Sequence, residues 1–109
     1  MVLFDAPTWP GVVIPSRPIG VVRITQREGK KERVRNDRII AVPSNDERYG
    51  DVSDIPRSHR EQLETFFAEL GRLFGKQVEV EGWQKAAKAE SLIEKAVRAY
   101  IDRGGARAE

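Results

Sequence analysis

The chain has 109 residues, 39% of them hydrophobic and 33% charged, with a formal net charge of +2 at pH 7. That is one domain, 1–109, long enough for a single core. The absence of cysteine excludes disulfides, thiolate catalysis and zinc–thiolate sites, and no run approaches the about eighteen apolar residues of a membrane span.

In chain order, the first half reads as strands. Val2 to Phe4 is a short apolar run, and its start has neither a basic flank nor a long apolar segment, so no signal peptide is expected. Turn material follows from Ala6 to Gly11, then Val12-Val13-Ile14 as a short β segment. Pro15 and Pro18 limit pairing there to edges. Ile19 to Thr25 is β-rich, Glu28-Gly29-Lys30 is a turn, and Arg33 to Val42 returns. A polar loop then runs to Pro56.

The second half reads as helix, strand, helix. Leu63, Phe66, Phe67, Leu70, Leu73 and Phe74 recur at helical spacing, with Pro56 suited to the first turn and Gly75 to a left-handed C-terminal cap. Val78 to Glu81 alternates like a half-buried strand and ends at Gly82-Trp83. Ala89, Ile93, Ala96, Val97 and Tyr100 form a second apolar stripe, stopped by Gly104-Gly105. The order predicts an α+β fold in which a small sheet or partial barrel is covered by two helices.

Charge is unevenly spread. Between Arg17 and Arg38 stand eight basic and three acidic residues, a local charge of +5, which points toward an anionic partner or, more simply, a solvated hairpin. Lys30 and Lys31, at the turn, read as solvated.

Several chemistries are ruled down. His59 is the only histidine and falls in a helix's first turn beside Arg57 and Arg60, where it is expected to face solvent. Neither G-x-x-x-x-G-K-[ST] nor G-x-G-x-x-G occurs. Glu79 and Glu81 share a strand face and read as its wet side, with a cation site as the lesser alternative. What remains is Asn36-Asp37-Arg38, since a guanidinium can grip phosphoryl oxygens while a neighbouring carboxylate holds Mg²⁺.

Three segments carry a family resemblance. "PTWPGVVIPSRPIGVVRIT" resembles the strand pair of family I soluble inorganic pyrophosphatases, where a P-G turn leads to an R-P-x-G-V strand. "DRIIAVPSNDERYGDVSDIP" is similar to that family's D-x-K-hydrophobic-A-V-P segment and following loop, and "LETFFAELGRLFGKQVEVEGW" to its H-F-F helix and V-x-V-x-G-W strand. The resemblance covers nearly the whole chain and only the C-terminal part of the family's pattern. It implies a partial OB-like β-barrel with two packed helices, Mg²⁺-dependent hydrolysis of pyrophosphate to phosphate, and a homo-oligomer; a cytoplasmic location is expected from the absence of cysteine.

Carried over residue by residue, the site arrives incomplete. The family's D-G-D-P-x-D cluster precedes a strand in which Met1 falls, so that cluster has no counterpart here. A later metal aspartate is replaced by Gln26. The D-x-K motif becomes Asn36-Asp37-Arg38, and the Tyr-Lys pair after the F-F motif aligns with Leu70 and Gly71. The resemblance leaves Arg38 as the expected phosphate-binding residue and Asp37 as the expected metal contact; no catalytic residue is assigned.

The leading expectation is thus a divergent, truncated pyrophosphatase-like hydrolase, inactive because its acidic cluster is missing. The alternative is a catalytically dead OB-like scaffold that binds nucleic acid or a partner pyrophosphatase subunit. The hairpin lacks interleaved aromatics for base stacking, which counts against nucleic acid.

Overall fold

The computed structural model describes residues 1–3 and 10–104. One long strand organises the sheet. β1 (Ser16–Glu28) pairs antiparallel with β2 (Val34–Arg35) and β3 (Arg38–Pro43) along one edge and with β4 (Lys76–Lys85) along the other. The turn expected at Glu28-Gly29-Lys30 is present: Lys31 N–H donates to the Glu28 carbonyl at 3.0 Å. Gly29 sits there at φ +58°, a conformation glycine adopts without a Cβ penalty.

β2 and β3 are one returning strand with an interruption. Thr25 faces Arg35 and Val22 faces Arg38, so the register is unbroken across Asn36-Asp37. Asn36 N–H donates to the Ile24 carbonyl at 2.8 Å, but Ile24 N–H donates to the Asp37 carboxylate at 2.9 Å. A side chain stands where the ladder would use a main-chain carbonyl, and the strand breaks at that point.

The core forms on one face of β1. Val22, Ile24, Ile40, Val42, Val52 and Phe67 are buried in one cluster, with Val78, Val80 and Trp83 of β4 packed against it. α1 (Arg57–Leu73) packs on β4 and supplies Phe67, its one buried residue. α2 (Ala86–Asp102) packs on β1 and buries Ala89 completely. Val21, which alternation places on the other face from Val22, is also fully buried. The architecture is α+β, a small antiparallel sheet with two helices, as the sequence predicts.

Two boundaries differ from expectation. Val12-Val13-Ile14 is not a strand, and Val13 is 89% exposed. Pro15 offers no N–H to a ladder, and pairing starts only at Ser16. β4 does not stop at Gly82: the register against β1 shifts between Arg23 and Ile24, Gly82 takes φ +147°, and the strand continues to Lys85. Here the glycine accommodates a bulge rather than ending a strand. Gly75 does cap α1, at φ +73°. Of the two short N-terminal readings, Val2 makes one parallel bridge to Ala41, while residues 4–9, with most of the expected turn, lie outside the described residues. Gly104 follows α2 at φ +76°, and Gly105 lies outside them too.

Asp51 ties the loop to the second helix. It opens a short 3₁₀ turn (Val52–Asp54), accepting from Ser53 N–H, while Asp54 reaches back to Asp51 N–H. Its other oxygen accepts from Ala86 N–H at 2.8 Å. α2 has no cap from its own N-cap residue, Lys85, so Asp51 satisfies one of the orphan donors at that helix start. Among the described residues no helix is long and apolar enough to cross a membrane.

Candidate functional site

Strand alternation sends the hairpin's charges to one face. Arg35 donates to Asp37 at 2.9 Å and to Glu81 at 2.8 Å. Arg23 lies 3.9 Å from the same Glu81, and Arg33 lies 3.8 Å from Glu79. Hydrogen bonds donated to Glu81 first and to Asp37 second raise the Arg35 pKa further. Two glutamates of β4 thus meet three of the hairpin's arginines and offset part of the local excess of +5 on this face. Exposed pairs of this kind add little stability. Their effect is to leave the hairpin a mixed-sign surface rather than a cationic track.

Opposite that face, β1, β3, β4 and the end of α1 enclose a cleft of about 180 Å³. Arg38, Gln26 and Lys76 supply its polar lining. The apolar walls are Ile24 and Val78 from the sheet and Phe67, Leu70 and Phe74 from the end of α1. Among the described residues neither Arg38 nor Lys76 makes an ion pair, and no carboxylate lines the cleft. The potential beside it is positive. The Met1 ammonium, bonded to the Ile39 carbonyl at 2.7 Å, has its pKa lowered by burial first and by the Arg38 charge second.

The cleft gathers four of the positions at which the sequence departs from the pyrophosphatase pattern: Gln26, Arg38, Leu70 and Gly71. A fifth, Asn36, borders it through a hydrogen bond from its Nδ2 to Gln26 Oε1 at 2.9 Å. Asp37 does not join them. Neighbours on a strand face opposite ways, and Asp37 turns to Ile24 N–H and Arg35, outside the cleft lining. The expected pairing of Asp37 with Arg38 around one ligand is therefore not formed.

Gly71 is required by packing. A Cβ built on it would lie 2.2 Å from Val78 Cγ2, so α1 approaches β4 too closely for any side chain there. Lys76 is the cleft residue that the sequence reading missed. It continues the Val78, Val80 alternation backwards by two residues, which places a half-buried lysine on the apolar face of β4. His59 is exposed, as expected. It lines a separate, larger cavity of about 500 Å³ with Leu63 and Phe66, which holds none of the expected site residues. Among the described residues no group of three or more His, Cys, Asp or Glu is placed to hold a metal ion.

A family profile described as inorganic pyrophosphatase matches residues 1–101. The chain is 40% identical over 98 residues to an inorganic pyrophosphatase of Leifsonia xyli, covering 86% of this chain and 57% of that one. It is 36% identical over 104 residues to an inorganic pyrophosphatase of Haloferax volcanii, covering 92% and 56%. Among solved structures, the inorganic pyrophosphatase of Thermus thermophilus superposes with a TM-score of 0.78 at 25% identity, covering 93% of this chain and 59% of that one. An inorganic phosphatase from Anaplasma phagocytophilum gives 0.76 at 35% identity, covering 91% and 58%. The chain thus spans a little over half the length of the relatives it matches.

Proposed function

The chain belongs to the inorganic pyrophosphatase family, and we propose that within it this chain binds a phosphoryl anion at Arg38 without hydrolysing pyrophosphate. The observation that carries this reading is the hydrogen bond between Asn36 and Gln26. Both positions align with aspartates in the family resemblance. Two carboxylates held that close repel unless a cation or proton lies between them, whereas two amides satisfy each other and need neither.

The donor set does not fit the Mg²⁺ cluster that the family implies. Mg²⁺ needs oxygen ligands in near-octahedral array, with carboxylates among them. Among the described residues the cleft offers two cations and an amide. Asp37 has one oxygen occupied by Ile24 N–H and Arg35, which leaves Oδ2 as its single contribution to a cation, away from Arg38. Arg38 acts as a phosphoryl clamp, its planar fork matching two oxygens at once.

The reading includes a cytoplasmic homo-oligomer. It is supported by the outward apolar stripe of α2, where Ile93, Val97, Tyr100 and Ile101 are 37–59% exposed, a surface suited to a second copy. Light scattering of the purified chain tests that part.

The decisive assay is phosphate release from pyrophosphate with excess Mg²⁺, run beside the Haloferax volcanii relative. Turnover at least about 100-fold slower is expected, since losing even one charge-stabilising group costs about that much. Comparable turnover would sink the reading.

A further inference from the structure

We propose that the cleft between α1 and the sheet takes a small organic phosphate, a phosphoryl group carrying one aromatic ring or a short alkyl chain, without a divalent metal. The inference rests on the reading of this cleft as a non-hydrolysing anion site and adds the class of ligand. Its first support is the division of the lining. Arg38 and Lys76 stand unpaired among the described residues, with Gln26 beside them. The walls, including Phe67, Phe74 and Leu70, are apolar.

Gln26 has a fixed orientation. Its Oε1 already accepts from Asn36, so its Nε2 remains as the donor for an anion. Three donors of this kind serve one phosphoryl group: a guanidinium fork, an ammonium and an amide. Among the described residues no carboxylate lines the cleft to repel it, and none there would recruit a metal that bridges to it.

Inorganic pyrophosphate is polar on every side. Placed here, its second phosphoryl group would face hydrocarbon and lose water without gaining donors. An ester with an apolar substituent would instead cover the side chains that now meet water. Phe74 is 69% exposed and Leu70 is 40% exposed, and burying such surface is favourable. Size narrows the ligand further. At about 180 Å³ the cleft falls below the ~300 Å³ at which pockets for drug-sized ligands begin, so one ring or a short chain fills it.

The test is calorimetric titration of the chain in EDTA with phenyl phosphate, inorganic phosphate and pyrophosphate. Phenyl phosphate is expected to bind at least about tenfold more tightly than either inorganic anion, a modest return for burying one ring. Arg38→Ala and Lys76→Ala should each weaken it by about tenfold or more, as loss of a charge-assisted contact does. Phe74→Ala should reduce the preference for phenyl phosphate over phosphate. All three side chains reach solvent, and far-UV circular dichroism confirms that each variant is folded.

For the parent chain, perturbation of the Gln26 side-chain amide resonance on titration reports occupancy of this cleft without any substitution. Equal affinity for phosphate and phenyl phosphate, a requirement for Mg²⁺, or a silent Gln26 amide would each overturn the proposal. Phosphate release from pyrophosphate on the same preparation separates the two readings. Turnover with phenyl phosphate binding intact overturns the claim of no hydrolysis, whereas neither turnover nor binding overturns the ligand class alone.

Discussion

Gly71→Ala places a single methyl group at the closest approach between α1 and β4. In an open helix interior the change would stabilise by about 0.8–1 kcal/mol through propensity, and less here because Gly71 lies in the last turn of α1 (Arg57–Leu73). Against this stands the contact. The new Cβ would meet Val78 Cγ2 at 2.2 Å, Val78 Cβ at 3.2 Å and the Lys76 carbonyl at 3.4 Å. Carbon atoms in contact prefer about 3.5–4.0 Å, so helix or strand must yield by more than an ångström.

Val78 cannot simply rotate away, because it is β-branched and packs against the core cluster that holds Ile24 and Phe67. Overpacking of this kind costs about 1–3 kcal/mol, which exceeds the propensity gain. A fall in melting temperature follows, at about 4–8 °C per kcal/mol for a domain near this size. The assay is urea unfolding followed by circular dichroism for the parent, Gly71→Ala, Val78→Ala and the double variant. Removing the Val78 methyls should relieve the clash, so the double variant should lose less than the sum of the singles, by about 1 kcal/mol or more. A Gly71→Ala variant as stable as the parent, or additivity in the cycle, would refute the packing argument. The same geometry forbids restoring the family's lysine at position 71 by one substitution.

Three further outcomes follow from the described contacts. Gln26→Glu combined with Asn36→Asp sets two carboxylates at the 2.9 Å contact that now joins two amides; the double variant should be less stable at pH 7 than at pH 5, and added Mg²⁺ should restore stability. Denaturation midpoints with and without Mg²⁺ check this, and indifference to both pH and Mg²⁺ would count against it. For Asp51, burial disfavours the charged form, but hydrogen bonds from Ala86 and Ser53 with the Lys85 charge outweigh it and lower the pKa. A depressed folded-state pKa gives stability present above the ordinary carboxylate range and lost as pH falls through the lowered value. Asp51→Asn should therefore flatten the acid limb of a stability–pH profile, and Asp51→Ala should cost about 1 kcal/mol at pH 7 by uncapping α2. Gly20→Ala should be more damaging than Gly71→Ala, because its Cβ would meet the Gln84 carbonyl oxygen at 2.6 Å as well as Val52 Cγ1 at 2.1 Å, and main chain in a sheet cannot step aside; a soluble, equally stable variant would contradict this.

Local signals in the sequence reported the fold wherever the cause was local. Helical spacing finds α1, but of its stripe only Leu63 and Phe67 pack on the core, while Phe66, Leu70, Leu73 and Phe74 stay exposed; Gly29 and Gly75 adopt the positive φ their turn and cap require. The failures trace to partners far along the chain. Gly82 looked like a strand end, yet its pairing partner Arg23 holds it inside a bulged ladder. The arginines of the hairpin read as a solvated run or, as the lesser alternative, a face for an anionic partner, yet Glu79 and Glu81, more than forty residues on, meet three of them. Nothing near Ala86 in the sequence announces that Asp51 caps α2.

The candidate site divides the same way. Arg38, Gln26, Leu70 and Gly71 could be singled out because the family pattern names their positions, and the fold brings them to one cleft. What no pattern showed is how each departure fits its neighbours. Gly71 is small because Val78 occupies the space of a side chain, and Asp37 leaves Arg38 because its carboxylate completes the ladder at Ile24. Lys76 adds a second cation from a strand that reads as ordinary alternation. The amide pair follows the same logic: Asn36 and Gln26 bond directly at 2.9 Å, where paired carboxylates would need a cation between them. The amide pair is satisfied without a cation, while Arg38 and Lys76 make no ion pair among the described residues. On the reading proposed above, the amide pair, the helix–strand contact at Gly71 and the Asp37 bond would each have to change before the family's carboxylates and lysine could return to these positions.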